Sequence, residues 1–188
     1  LLPLIGFNKL QWRGSRLYMP PNMTIDFGGI VKEYAADSVA RLARKIDVQY
    51  GLVNLGGDFA IIGPQPDNQP WPIGVADPKN RKALIAKIDA VEGGVASSGD
   101  YERCFVHQGK RYSHILNPKT GWPSAGLRAV SVAANLCTVA GSIATTAMIK
   151  EESEGIKWLE DSGLSYIAMN QSEEIIRNGW QKPSVTAE

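Results

Sequence analysis

The sequence has no long apolar run and no excess of charge of one sign. None of its apolar stretches reaches the roughly 18 consecutive residues that a membrane-spanning helix needs. Lysine and arginine number 20 against 19 aspartates and glutamates, so the formal net charge is +1. A chain with so little net charge has no bulk field to attract nucleic acid. These absences argue against a transmembrane helix in this chain and against a nucleic-acid partner.

Cysteine and histidine are also scarce, with two of each. Cys104 and Cys137 could pair or remain free, and their number does not define the redox compartment. His107 falls in a predicted hairpin turn and is expected to be exposed. His114 lies near the end of a predicted strand, where it could take a proton near neutral pH. A strand histidine satisfied by backbone hydrogen bonds is the alternative interpretation.

Length and composition are typical of one globular domain. Hydrophobic residues make up 44% of the 188 residues and charged residues 21%, and this length is enough to bury a substantial core. The chain opens with LLPLIGFNKL, without an initiator methionine, and no signal peptide is visible in it. We therefore expect residues 1–188 to form a single domain, from a trimmed protein or a piece of a longer one.

Hydrophobic periodicity predicts hairpins with interspersed helices. The predicted helices cover 30–46, 138–150 and 153–161. The predicted strands are a hairpin over 50–63 and segments at 71–75, 84–91, 101–106, 111–116, 127–134, 164–169 and 174–177. In the first helix, Lys32, Glu33 and Asp37 fall mostly opposite the apolar residues. This order of elements favours an α+β fold of mostly antiparallel strands and hairpins with packed helices.

The segment TIDFGGIVK is the first candidate for a binding site. It is predicted as a strand that runs into two glycines and then a helix. Glycines let the backbone approach a ligand closely, and the helix N-terminus offers N–H groups to anionic oxygen. Asp26 and Lys32 flank the turn and supply an acceptor and a cation. Alone, the segment is equally consistent with a tight turn, a helix cap and a surface lysine.

Three further segments combine small and polar residues. Residues 94–103 read GVASSGDYER, which offers hydrogen bonds but alone favours a polar loop leading into a hairpin. His114 precedes an Asn-Pro-Lys-Thr-Gly turn. In CTVAGSIATTA, Gly141 and Thr145 are four apart and would share one helix face, with close helix packing as the simpler explanation. Each segment is weak by itself, so only their combination carries an argument.

Together and in this order, these segments resemble the ApbE family of FAD:protein FMN transferases. The matching motifs are TIDFGGIVKEYAAD, LVNLGGDFAIIG, ASSGDYERCF, GKRYSHILNPKTGWP and CTVAGSIATTAM, from about Met23 to the last strands. The resemblance implies an α+β flavin-transferase domain that is exported or periplasmic and often lipid-anchored. It also implies Mg²⁺-dependent cleavage of FAD and attachment of FMN, through a phosphoester, to a Thr or Ser of a partner, such as a flavoprotein subunit of a membrane redox complex.

The resemblance also implies roles for individual residues. His114 corresponds to the proposed general base toward the acceptor hydroxyl. The Gly29 carbonyl and Thr145 correspond to metal ligands. The implied contacts to the flavin nucleotide are Asp26, Lys32 and Leu116, with Ser98, Asp100 and Thr120 as weaker ones.

Three departures from the family pattern bear on activity. The family has an Asp four residues before the metal-ligating Thr, where this chain has Gly141. The remaining donors, including Ser142, are neutral, so we expect weaker Mg²⁺ binding and slow or absent turnover. Glu33 stands where the family usually has Gly, and we expect it to pair with Lys32 or to face solvent. Family members also extend further at the N-terminus, so we expect that this chain is a fragment, that an upstream segment is absent from it, or that the protein has lost half of the pocket.

Three functions are consistent with these observations. The first is an FMN transferase, favoured by the series of motifs. The second is a domain that binds FAD or another adenine nucleotide without transferring FMN, favoured by the missing acid at position 141. The third is a structural remnant that keeps only the fold.

Overall fold

The computed structural model describes residues 1–77, 80, 83–100 and 104–180, with the backbone alone at positions 110 and 111. Its helices are α1 (Val31–Lys45), α2 (Cys137–Ile149) and α3 (Glu152–Asp161). Its strands are β1 (Gln11–Arg13), β2 (Arg16–Tyr18), β3 (Gly51–Leu55), β4 (Asp58–Gly63), β5 (Trp71–Ala76), β6 (Leu84–Ala90), β7 (Gly94–Gly99), β8 (Cys104–His107), β9 (Lys110–Ser113), β10 (Ala129–Ala134), β11 (Ser165–Met169) and β12 (Ile175–Asn178). This mixture confirms the predicted α+β class.

A six-stranded antiparallel sheet forms the centre of the fold. Its strand order is β12-β11-β10-β7-β4-β3, and each neighbouring pair is antiparallel. The predicted hairpin over 50–63 is confirmed as β3 and β4. Gly56 and Gly57 make its turn with φ of 63° and 92°, which glycine adopts without steric cost. The hairpin predicted around 107–110 is confirmed as β8 and β9, although residues 101–103 of its first predicted strand lie outside the described residues.

The central sheet is covered on both faces. Helices α1 and α2 pack on one face, against β3, β4, β7 and β10, and the β5–β6 hairpin contributes to the cluster on the other. Strand residues alternate between the two clusters, as the pleat requires: Ala96 belongs to the helix side and Val95 to the hairpin side. Each fully buried aliphatic side chain stabilises the fold by roughly 1.5–3 kcal/mol. The packed sheet therefore fixes the positions of the residues on the face that α1 and α2 cover.

Strand β7 corrects the interpretation of residues 94–99 as a polar loop. It pairs with β10 over its whole length and with β4 at Val95 and Gly94. Its Gly-Val-Ala-Ser-Ser-Gly composition has weak intrinsic strand preference, so its neighbours impose the conformation. Gly94 also brings it close to α2, since a Cβ there would lie 2.3 Å from the backbone nitrogen of Cys137. Tertiary packing, which local sequence does not reveal, explains the error.

The orientation of α1 differs from the one that its periodicity predicts. The predicted helix over 30–46 is confirmed, but its apolar side chains Val39 and Leu42 are 50% and 60% exposed. The buried face consists of Ala36, Ala40 and Glu33. Small alanines let α1 approach the sheet and α2 closely, so the expected polar face of the helix is turned partly inward.

Asp37 of α1 caps the N-terminus of α2. Its Oδ1 accepts a hydrogen bond from the backbone N–H of Cys137 at 2.9 Å, and its Oδ2 accepts from the N–H and the hydroxyl of Thr138 at 2.9 and 2.7 Å. These bonds satisfy N–H groups that the start of a helix leaves unpaired. Asp37 therefore fixes α1 and α2 relative to each other, and with them the residues that both helices carry.

Candidate functional site

One cavity, of about 810 Å³, brings together most of the predicted site residues. It lies between the start of α1, the end of β7, the segment after β9 and the middle of α2. The predicted residues that line it are Asp26, Gly29, Lys32, Ser98, His114, Leu116 and Thr145. They come from four separate parts of the chain, so their convergence is a property of the fold. Their individual roles stay predictions.

Asp100 and Thr120 are not among the described residues that line this cavity. Asp100 is buried just beyond β7, and its N–H donates to the Arg128 carbonyl at 2.9 Å. Thr120 is exposed in the turn after His114, and its hydroxyl accepts from the N–H of Trp122 at 3.2 Å. Within the described part of the chain, neither residue therefore lines the cavity that the other predicted residues share.

The wall at the start of α1 is a turn of exposed backbone. Asp26 Oδ1 accepts from the N–H of Gly28 at 2.7 Å, and the N–H groups of Ile30 and Val31 donate to the Phe27 carbonyl. The strand predicted before the glycines is wrong, because residues 23–27 form no strand and lead directly into this turn. A Cβ at Gly29 would meet no atom within 4 Å. The backbone of this turn is therefore open to a ligand.

An ion pair between Lys32 and the buried Asp58 lies behind the next part of the wall. Lys32 Nζ lies 2.8 Å from Asp58 Oδ2, and the Asp58 side chain is 1% exposed. Asp58 Oδ1 also accepts from the N–H of Ser97 at 3.0 Å. This aspartate ties α1 and β7 to the start of β4. Sequence reasoning treated it only as part of a turn, although a charged residue directly before the apolar run FAII was a signal for a buried partner.

Ser98 and Thr145 connect the sheet to α2. Their hydroxyl oxygens are 2.9 Å apart, within hydrogen-bond distance. Ser98 is on β7, opposite Val130 of β10, and Thr145 lies one turn of α2 beyond Gly141. The structure confirms that residues 138–149 are helical, so Gly141 and Thr145 share the face that was predicted for them.

His114 stands at the rim of the cavity and is exposed. Strand β9 ends at Ser113, earlier than predicted, and the Ser113 hydroxyl accepts from the N–H of Ile115 at 3.0 Å. Leu116 then forms an isolated bridge with Pro123 and is 54% exposed. The chain bends at His114, and the imidazole of His114 and the apolar side chain of Leu116 both line the cavity.

Glu33 was expected either to pair with Lys32 or to face solvent. Its side chain lies inside the fold with only 7% of the residue exposed, so the second alternative is wrong. A Cβ at Gly141 would lie 2.7 Å from its Cγ. Its Oε2 is buried and has no hydrogen-bond partner among the described residues. Burial raises the pKa of Glu33, and the negative charge of Asp58 and a side-chain hydrogen bond with Asp58 add to this, against the opposing effects of its backbone N–H and Lys32.

These residues fit a hard divalent cation with few protein ligands. The cavity offers a buried carboxylate, the Thr145 hydroxyl and the backbone at Gly29, and oxygen donors of this kind suit Mg²⁺. Within the described residues, no group of three or more His, Cys, Asp or Glu side chains gathers as a metal cluster. Such a sparse donor set matches Mg²⁺, which commonly completes its coordination with phosphate oxygens and water.

The two cysteines are both free. Cys104 is exposed on β8, whereas Cys137 is buried at the start of α2. Burial raises the pKa of the Cys137 thiol to about 12, with the nearby Asp58 and Asp37 charges adding to it. Among the described residues, no helix has the length and apolar character needed to cross a membrane.

Comparison with known proteins matches both the sequence and the fold. The model of the ApbE family matches residues 1–168. The FAD:protein FMN transferase of Haemophilus influenzae is 30% identical over 148 residues, covering 77% of this chain and 43% of that protein. The enzyme of the same name from Salmonella typhimurium is 31% identical over 158 residues, covering 84% of this chain and 41% of that protein.

Solved structures give the same result. The crystal structure of the ApbE protein from Thermotoga maritima superimposes with a TM-score of 0.86 at 34% identity, covering 94% of this chain and 59% of that one. The apo flavinyl transferase ApbE of Pseudomonas stutzeri superimposes with a TM-score of 0.80 at 29% identity, covering 94% and 56%. The chain therefore spans about half the length of the relatives it matches.

Proposed function

Because the chain belongs to the ApbE family, we propose that it binds FAD and transfers the FMN portion to a Thr or Ser hydroxyl of a partner protein. The observation that carries the proposal is the convergence of four separate motifs on one cavity of about 810 Å³. Curated relatives that cover most of this chain are named as FAD:protein FMN transferases, which supports the same reaction here.

The cavity walls supply suitable contacts for a flavin nucleotide. Leu116 offers an exposed apolar side chain against which a flavin ring can pack. The Lys32 ammonium, which is 43% exposed beside Asp58, and the positive end of the α1 dipole favour the negative charge of the pyrophosphate. The turn at Gly28 and Gly29 lets that charge approach the backbone. Binding would therefore place the pyrophosphate between α1 and β7, within the same cavity as His114.

His114 is suited to act on the acceptor hydroxyl. Its exposed position at the rim lets a partner protein reach it, and an imidazole can remove a proton near neutral pH. The hydroxyl oxygen then bonds to the phosphorus of the FMN half, the phosphoanhydride bond to AMP breaks, and AMP leaves. Bound Mg²⁺, held by Thr145 and the Gly29 carbonyl, would offset the charge of the pyrophosphate.

The partner and the compartment belong to the same proposal. The names of the curated relatives specify a protein as the flavin acceptor, which supports a protein partner here. A flavoprotein subunit of a membrane redox complex as that partner follows from the family resemblance alone. An exported or periplasmic location, with a possible lipid anchor outside the sequence given, follows from the family resemblance alone.

The test is incubation with FAD, Mg²⁺ and a peptide carrying an acceptor threonine, followed by mass spectrometry. We expect the mass of FMN on the peptide and an equal amount of AMP. His114→Ala should abolish transfer. His107→Ala, which removes the exposed histidine at the end of β8, should not. FAD binding without transfer would replace the proposal with a non-catalytic binding domain. Absence of both would leave a structural remnant.

A further inference from the structure

We propose that Glu33 is the carboxylate ligand of the metal site, delivered from α1 into the space beside Gly141 of α2. The inference deepens the proposed function and rests on it for the identity of the metal as Mg²⁺. It revises the expectation that this chain holds the metal with neutral donors only.

The side chain of Glu33 lies directly beside Gly141. A Cβ at Gly141 would lie 2.7 Å from Cγ and 2.8 Å from Oε1 of Glu33, so Glu33 fills the volume that a side chain at position 141 would enter. Gly141 and Thr145 are one helical turn apart on the same face of α2. The carboxylate that lies over Gly141 is therefore on the face of α2 that also carries the Thr145 hydroxyl. Glu33 and Thr145 line the same cavity.

The Oε2 atom of Glu33 has no hydrogen-bond partner within the described part of the chain. Glu33 itself is more than nine-tenths buried. A buried carboxylate without a partner is strongly unfavourable unless a cation or donors compensate it. Lys32 Nζ pairs with Asp58 at 2.8 Å, and its charge also acts on Glu33. A bound divalent ion would give Oε2 the direct partner that it does not have among the described residues.

The Thr145 hydroxyl is the second oxygen that we assign to the metal. Thr145 and Ser98 share a hydrogen bond of 2.9 Å. When Thr145 donates its proton to Ser98, its oxygen keeps lone pairs for a cation, and the bond fixes the direction of the hydroxyl. Together with the Gly29 backbone, the arrangement supplies one charged and two neutral oxygen ligands. Phosphate oxygens and water would complete the coordination.

The test measures metal binding directly. Mn²⁺, as a paramagnetic substitute for Mg²⁺, is titrated into the protein with and without FAD, and free Mn²⁺ is followed by electron paramagnetic resonance. We expect Glu33→Gln to weaken Mn²⁺ binding by roughly tenfold or more, since it removes the charged ligand. The matched control, Glu92→Gln, removes an exposed acid away from the cavity and should bind Mn²⁺ like the parent protein. Equal Mn²⁺ affinity in the parent and Glu33→Gln, or no binding by the folded parent with FAD, would overturn the inference.

A reciprocal exchange guards against a simple folding defect. Gly141→Asp alone places its Cβ against Glu33 and crowds two carboxylates, so we expect it to impair packing and not to improve binding. Glu33→Gly alone should lose Mn²⁺ binding. The double variant Glu33→Gly/Gly141→Asp moves the acid from α1 to α2 and should regain binding that Glu33→Gly lost. A double variant that is folded by circular dichroism yet binds no better than Glu33→Gly would contradict the exchange of ligands.

The outcomes separate this inference from the proposed function. Glu33-dependent Mn²⁺ binding without FMN transfer would leave the ligand assignment in place and remove the transferase activity. If FMN transfer and Mn²⁺ binding both survive Glu33→Gln unchanged, the transferase activity stands and Glu33 is not the metal ligand. In the latter case Glu33 would be a packing residue between α1 and α2.

Discussion

Two sides of the cavity differ in how their polar groups are satisfied. On the paired side, Asp58 is held by Lys32 at 2.8 Å and by the N–H of Ser97 at 3.0 Å. On the open side, Glu33 lies over Gly141 with one carboxylate oxygen unpartnered among the described residues. Both sides contain a buried acid from neighbouring elements. We therefore interpret the paired side as a scaffold, and our proposal makes the open side the ligand site.

The largest expected effect is on the paired side. Asp58→Ala removes a charge-assisted hydrogen bond to Ser97 and the ion pair to Lys32, so we expect the free energy of unfolding to fall by about 2 kcal/mol. Urea denaturation measures this change. The control is Asp161→Ala, which breaks the surface pair with Lys157 at 3.1 Å and should cost well under about 1 kcal/mol. Equal losses in the two variants would show that Asp58 is not a scaffold residue.

The next effect concerns the cap that sets the distance between the two helices. Asp37→Ala leaves the N–H groups of Cys137 and Thr138 without their acceptor, and we expect a loss of about 1–2 kcal/mol. Asp37→Asn keeps one acceptor oxygen and should lose less. Because α1 and α2 carry Glu33 and Thr145, the alanine variant should also weaken Mn²⁺ binding. Intact metal binding in a destabilised Asp37→Ala protein would mean that the open side does not depend on the cap.

The third effect is a gain in stability, whereas the first two are losses. Without metal, Glu33→Gln removes a buried carboxylate that lacks a partner, so we expect the free energy of unfolding to rise by about 1 kcal/mol. Added Mg²⁺ should raise the melting temperature of the parent, since a ligand that binds only the folded state stabilises it, and should have little effect on Glu33→Gln. A metal-free Glu33→Gln that is less stable than the parent would place Glu33 with the scaffold.

The same contrast explains which features the sequence could predict. The β3–β4 hairpin and all three helices follow from local periodicity and turn residues, which act over a few positions. The wall residues from Asp26 to Lys32 and around His114 follow from spaced motifs. Strand β7 was missed because its pairing with β4 and β10 overrides a weak local preference. Glu33 was misplaced because its environment depends on Gly141, more than a hundred residues away, and on a helix whose buried face is made of small residues.

The smallest effect tests how firmly the start of α2 is packed beside the paired side. Burial raises the pKa of the Cys137 thiol to about 12; the protonated thiol therefore favours the folded state fully below the unfolded thiol pKa, and this contribution is lost progressively as the pH rises from there to about 12. At pH 8 the native protein should therefore expose one reactive thiol, Cys104, to a disulfide reagent, because the thiolate is the nucleophile. Cys137 should react only after denaturation. Reaction of both thiols at similar rates in the native state would show that the α1–α2 junction opens readily, and that the acid on the open side is not held in place.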